Sequence, residues 1–176
     1  SFPLDCTKDF KLLNSPTDEQ VQDICTTIRE RVVKNTLVHS DPRVSVIFPA
    51  YNEEMYLIIM LWTLSQLDTR IPIEIIWVNN ASTDRTGEII EQCWIIRVDE
   101  KRKWVSYARQ AGLEVAKWEY IGTTDADTQV PPDWIDANIK YFEEDPHLAC
   151  FSWESTMNNF HSSRDIIFWL LRPGAR

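Results

Sequence analysis

Val44-Ser-Val-Ile-Phe-Pro-Ala-Tyr-Asn-Glu53 is the segment whose reading decides the fold. Val44 to Phe48 is a short β-branched and apolar run closed by Pro49, and a stretch rich in Leu, Ile and Met follows from Glu53 to Gln66. A brief apolar run bounded by a breaker reads as a strand buried on both faces, and the longer segment reads as a helix. The same order recurs downstream. Ile73 to Val78 and Trp94 to Val98 are further strands, each followed by a helix, at Thr83 to Gln92 and Lys103 to Lys117. Glu119 to Thr124 is a fourth strand, Pro132 to Glu143 a helix with proline in its first turn, and Leu148 to Trp153 another strand. Strands alternating with helices predict βαβ units, hence an α/β fold with a mostly parallel sheet flanked by helices. Such sheets bind ligands beyond the carboxyl ends of their strands, so the loops after Phe48, Val78 and Thr124 are where chemistry is expected.

Upstream of this core the sequence changes character. Residues 1–42 form an N-terminal arm and helix: Pro3 and Pro16 suit an irregular arm, then Thr17 and Gln20 stand at capping-box positions. Val21, Ile24, Ile28 and Val32 continue at helical spacing, predicting an extra N-terminal helix over 18–35. The core spans 43–155, and 156–176 reads as a C-terminal helical tail. Within that tail, Asp165-Ile-Ile-Phe-Trp-Leu-Leu-Arg172 is either a final helix packing on the core or an interfacial membrane anchor. The chain begins at Ser1 rather than Met and reads as part of a longer protein.

Composition narrows the function classes. Lys and Arg number 18 against 27 Asp and Glu, a formal charge of −9, which argues against nucleic acid and against an anionic membrane surface as partners. The longest apolar run, Tyr56 to Trp62, is far short of the ~20 residues that span a bilayer. Cys6, Cys25, Cys93 and Cys150 are too scattered for a zinc knuckle or redox pair and read as free thiols in a reducing compartment. The expected location is therefore the cytoplasm or the cytoplasmic face of a membrane. His39, His147 and His161 fall in no ligand spacing.

Thr123-Thr-Asp-Ala-Asp-Thr128 carries the most chemistry. In an extended chain, Asp125 and Asp127 point the same way from a strand end. Two hard oxygen donors there suit Mg²⁺ or Mn²⁺, which take one or two protein carboxylates and leave room for substrate phosphates; the plainer reading is a solvated acidic turn. Asn79 and Asn80 can hydrogen-bond a nucleobase edge, while Ser82, Thr83 and Asp84 read as caps for the next helix. Tyr51 can stack on a base, and Glu53 can bind a ribose hydroxyl or simply open a helix, where acids favour the dipole.

Together these segments, with Ala108-Arg-Gln-Ala-Gly-Leu113 and Pro131-Pro-Asp-Trp134, resemble the family-2 inverting nucleotide-sugar glycosyltransferases of GT-A fold. The resemblance implies a nucleotide-diphosphate sugar as donor, Mn²⁺ or Mg²⁺ as cofactor, and an unknown glycan, lipid or protein as acceptor. It places Pro49, Tyr51 and Glu53 in the nucleoside pocket, Asp125 toward ribose and metal, and Asp127 on the metal bridging the diphosphate. Two departures stand out. Asn79 and Asn80 replace acids usual in the family, and Lys101-Arg-Lys-Trp104 occupies a loop that often carries glycine. Of those cations Lys103 is the one expected on the donor, the other reading being a solvated loop. No Glu-Asp pair follows Glu154 to act as general base, so the chain reads as a donor-binding half whose acceptor side is missing. Peripheral membrane association would then come through that missing part. The alternative is a non-catalytic nucleotide-sugar-binding module. A nucleotidyltransferase is disfavoured, since four glycines form no Gly-rich phosphate loop.

Overall fold

In the computed structural model, which describes residues 17–28, 30, 44–93, 96–145, 147–154 and 166–171, strand β1 (Val44–Ala50) is buried along its whole length inside a six-stranded sheet. β2 (Ile73–Asn79) and β3 (Ile96–Asp99) extend the sheet on one side of β1, and β4 (Tyr120–Thr123) lies on the other. All four run parallel, with Ile47 opposite Ile76 on β2 and opposite Thr123 on β4. The strands expected at 44–48, 73–78 and 119–124, and the described part of the one expected at 94–98, are thus side by side in one sheet.

Helices α2 (Glu54–Ser65), α3 (Thr86–Gln92), α4 (Val105–Val115) and α5 (Trp134–Glu144) fill the connections. α1 (Asp18–Ile28) is the expected leader helix, and its capping box forms: the Gln20 N–H donates to Thr17 Oγ1 at 3.2 Å and the Thr17 N–H to Gln20 Oε1 at 2.9 Å. The predicted continuation of α1 to residue 35 lies almost wholly outside the described residues.

Three expectations need correction. β1 continues through Pro49, because β4 pairs with β1 only as far as Ile47 and the missing proline N–H there leaves no neighbour unserved on that side. Of the tail expected to be helical only 166–171 is described, and it is not a helix: β6 (Ile166–Leu171) is a strand, antiparallel to both β4 and β5 (Cys150–Glu154). A short run of Ile, Phe, Trp and Leu suits either element, and pairing with β4 on one edge and β5 on the other makes it a strand. Finally, Cys25 and Cys93 are not free thiols but a disulfide, with Cα atoms 4.5 Å apart. They are 68 residues apart, and only the packing of α1 against α3 brings them together. Their pairing removes the cysteine argument for a reducing compartment. Cys150 is free and exposed, and Cys6 lies outside the described residues.

Period-2 alternation sends β1 and β2 side chains into two cores. Val44, Val46, Phe48, Ile73, Ile75 and Trp77 face the core shared with α1, α2, α3 and α5, where Phe48 stacks on Trp77 with ring centroids 5.1 Å apart. Ile47, Ile76, Val78 and Ile121 face α4 through Ala108 and Ala116. Gly112 permits that close approach, because a Cβ there would meet Ile47 Cγ2 at 2.4 Å and Val78 Cγ2 at 3.2 Å. Gly112→Ala is therefore expected to destabilise the domain by about 1–3 kcal/mol in urea unfolding. At an unencumbered helix position the same change stabilises by up to ~1 kcal/mol, so a neutral or favourable result would contradict this docking of α4.

Candidate functional site

The carboxyl ends of β1, β2, β3 and β4 open onto one edge of the sheet, and the chain reverses its direction of winding between β1 and β4. Ligand crevices of doubly wound sheets lie at such a switch point. Backbone strain collects in these loops. Asn52 after β1, Ala81 after β2 and Trp104 after β3 have φ of 55°, 57° and 125°, and they are the only non-glycine residues with positive φ among those described. Strain of this kind persists where surrounding contacts over-determine it.

Those contacts run between loops. Asp84 Oδ2 accepts the Glu54 N–H at 3.2 Å, and its Oδ1 accepts the Thr86 N–H at 3.0 Å, so one carboxylate caps the first residues of both α2 and α3. Burial pulls the Asp84 carboxyl upward, but hydrogen bonds from the Thr86 hydroxyl and from the Thr86 and Glu54 N–H groups outweigh it and hold it below its ordinary value. The exchange is reciprocal: Thr86 Oγ1 accepts the Glu53 N–H at 2.9 Å, and Glu54 Oε2 accepts the Arg85 N–H at 3.2 Å. Of the three expected caps only Asp84 serves α3. Ser82 Oγ instead accepts the Asn52 N–H at 3.1 Å, and the Thr83 N–H donates to Asn52 Oδ1 at 2.8 Å.

The two asparagines are structural. Asn79 Nδ2 donates to Asp99 Oδ1 at 2.9 Å, and its Oδ1 accepts the Ser82 N–H at 3.2 Å. Asn80 is 4% exposed; its Nδ2 donates to the carbonyls of Arg102 at 2.6 Å and Glu100 at 3.2 Å, while its Oδ1 accepts the Trp104 N–H at 3.2 Å. Both Asn80 amide hydrogens are thus committed to the β3–α4 loop, where the amide acts as a brace. Glu100 grips the same loop. It accepts from the Arg102 guanidinium at 2.7 Å and from the Arg102 N–H at 2.7 Å, which holds its carboxyl well down, at about 2. Arg102 is spent there and over the Tyr107 ring, whereas Lys103 reaches Tyr51, its Nζ 5.8 Å from the ring centroid. Tyr51 and Lys103, both expected on the donor, are therefore brought together. Pro49 is buried in β1 and contributes the direction of the strand exit rather than an exposed surface.

Past β4 the chain turns, with the Thr128 N–H donating to the Asp125 carbonyl at 3.2 Å, instead of continuing extended as anticipated. The turn still buries Ala126 between a half-buried Asp125 and an exposed Asp127. Arg109 on α4 donates to Asp125 Oδ1 at 2.8 Å, a counter-ion that sequence reading left unassigned. Its signal was there in part: an arginine one turn into the helix whose N-terminus faces the same sheet edge. Glu53 reports the charge of the whole edge. Its burial first, and then the nearby carboxylates of Asp127, Asp125 and Asp84, push it up to about 7. Among the described residues no three acids, histidines or cysteines gather tightly enough to hold a metal by themselves. The buried hydroxyls of Thr123, Thr124 and Thr128 beside this turn have no hydrogen-bond partner.

Comparison with known proteins bears on the fold and the family. The chain is 32% identical over 124 residues to a chondroitin synthase and to a hyaluronan synthase of Pasteurella multocida, covering 67% of itself but 13% of each. Among solved structures, a mannosyltransferase from Pyrobaculum calidifontis in complex with GDP-Man and Mn²⁺ superposes with a TM-score of 0.57 at 23% identity, over 74% of this chain and 46% of that one. TarS of S. aureus in complex with UDP-GlcNAc does so with a TM-score of 0.51 at 24% identity, over 58% of this chain and 31% of that one. The sheet and its helices are those of the GT-A fold. Residues 45–174 match the family model described as Glycosyl transferase family 2, and the chain belongs to that family.

Proposed function

We propose that this domain binds the nucleoside diphosphate part of a nucleotide sugar, together with Mn²⁺ or Mg²⁺, at the ends of β1, β2 and β4. In the whole protein the sugar is then transferred with inversion to a hydroxyl of a glycan, lipid or protein acceptor. One observation carries this reading: past the end of β4, Asp125 and Asp127 share one edge of the sheet with Glu53 and Asp84, a crowd of acids that a divalent cation would neutralise and that, after burial, helps push the Glu53 carboxyl up to about 7. The donor set fits such an ion. It is all hard oxygen, and a site drawing only one or two carboxylates from the protein leaves the remaining positions to diphosphate oxygens. The mannosyltransferase and TarS complexes, with GDP-Man and Mn²⁺ and with UDP-GlcNAc, support the same class of ligand.

Asp127, exposed beyond the turn, would hold the cation, with Asp125 beside it facing the ribose. When bound, the metal offsets the diphosphate charge and stabilises the departing nucleotide. Arg109 fixes the orientation of Asp125. Tyr51 offers a stacking face, and Lys103 supplies a cation that can leave that face for a phosphate. In the transfer the acceptor oxygen bonds to the anomeric carbon as the bond from that carbon to the diphosphate breaks, and the acceptor proton passes to a general base. The share of this reaction that these residues support is donor binding.

Removing each aspartate should differ in kind. In calorimetry with a nucleoside diphosphate, Asp127→Ala should abolish the Mn²⁺-dependent component and Asp127→Asn should nearly do so, whereas Asp125→Asn should retain partial affinity because an amide still accepts from a ribose hydroxyl. Melting temperatures without ligand should barely move, and equal Mn²⁺-dependent binding by Asp127→Ala and wild type would refute the metal site. Glu53 sets a pH dependence. Its folded value of about 7 lies above its ordinary 4.5, so its contribution to stability is present at pH below about 4.5 and is lost as pH rises through about 7. Unfolding free energy without ligand should therefore fall between pH 5 and 8 in wild type, and Glu53→Gln should flatten that slope; identical slopes would contradict the crowding of acids around Glu53.

A further inference from the structure

Trp104 is the most strained residue of the site and one of the most exposed. Its φ of 125° and ψ of 134° lie in a region that glycine enters freely and a bulky side chain does not. Yet its side chain packs little: the residue is 76% exposed. The conformation is imposed from outside. Asn80 Oδ1 holds the Trp104 N–H, Asn80 Nδ2 holds the Arg102 and Glu100 carbonyls, and the Glu100 carboxylate holds the Arg102 N–H and guanidinium. A glycine would satisfy every one of these bonds without strain, so the indole is not there for the fold.

We infer that Trp104 is the second wall of the base subsite, closing a purine or pyrimidine ring of the donor against Tyr51. The inference rests on the nucleotide-binding reading above. Tyr51 is 45% exposed and leaves the end of β1, while Trp104 leaves the loop after β3, with β2 between them. Two strands separated by a third are roughly 10 Å apart. A planar base in contact with a ring on each face needs about 7–8 Å. The adjacent residue confirms the reach of the loop, since Lys103 extends back over the Tyr51 ring. Asn79 and Asn80, braced and buried, form the floor at the end of β2. Stacking against an aromatic face tolerates any base, so this wall adds affinity more than base selectivity.

Strain and binding predict opposite signs for one substitution. Trp104→Gly should raise the melting temperature of the domain without ligand by roughly 2–6 °C, as the left-handed conformation becomes unstrained. It should also weaken binding of UDP and GDP with Mn²⁺ roughly 5- to 100-fold while leaving pyrophosphate with Mn²⁺ unchanged, because only the base is lost from contact. Trp104→Phe keeps a stacking face and should retain most of the nucleotide affinity. Calorimetry on wild type and the two variants reads all of this. Equal nucleotide affinity in wild type and Trp104→Gly overturns the inference while the donor site stands, as does an equal loss for nucleotide and pyrophosphate. A wild-type domain that binds none of the three ligands with Mn²⁺ overturns both.

Discussion

One carboxylate holds the site in shape. Asp84 takes the first N–H of α2 with one oxygen and that of α3 with the other, and neither helix has a side-chain cap from its own N-cap residue. Helix N-termini need acceptors for their open donors and carry partial positive charge, so a shared anion satisfies both needs at two helices together. The consequence is geometric. The β1 loop, carrying Tyr51 and Glu53, and the β2 loop, carrying Asn79 and Asn80, cannot move independently. Asn80 and Glu100 then tie the β3 loop to the same frame, and Arg109 ties α4 to the turn after β4.

A rigid frame of this kind has an electrostatic price. Four carboxylates, Glu53, Asp84, Asp125 and Asp127, share one edge of the sheet. Helix N–H groups compensate Asp84 and Arg109 compensates Asp125. The residual repulsion falls with burial on Glu53, which is why its carboxyl holds a proton up to about neutral pH. An edge so arranged favours a cation and, through it, a polyanion. The same rigidity explains how three loop residues keep left-handed backbone conformations.

Much of the fold was legible because its signals are local and periodic. Buried parallel strands such as β1 and β2 read as unbroken apolar runs, and the order of elements then leaves few topologies. What escaped the sequence depends on contacts between distant residues. Nothing in the run Ile166 to Leu171 by itself tells a flanked strand from a short apolar helix; pairing with β4 and β5 decides it. Cys25 and Cys93 meet only because α1 packs beside α3. At the candidate site, strand-end position and chemistry single out Tyr51, Asp125 and Asp127, and the family resemblance adds Lys103. The inward turn of Asn80 and the pairing of Arg109 with Asp125 were not legible, since an amide or guanidinium reads alike in sequence whether it faces a ligand or a neighbouring loop.

The account stands on a divalent cation meeting Asp127 at the end of β4 between the protein and a diphosphate. A crystal of the domain grown with Mn²⁺ and a nucleoside diphosphate, with diffraction recorded at the manganese absorption edge, tests this most directly. The account predicts one anomalous peak within coordination distance of an Asp127 carboxylate oxygen and of the diphosphate, with Arg109 still on Asp125. Nucleotide bound at this edge with no manganese beside Asp127, or manganese held elsewhere on the domain, would contradict it.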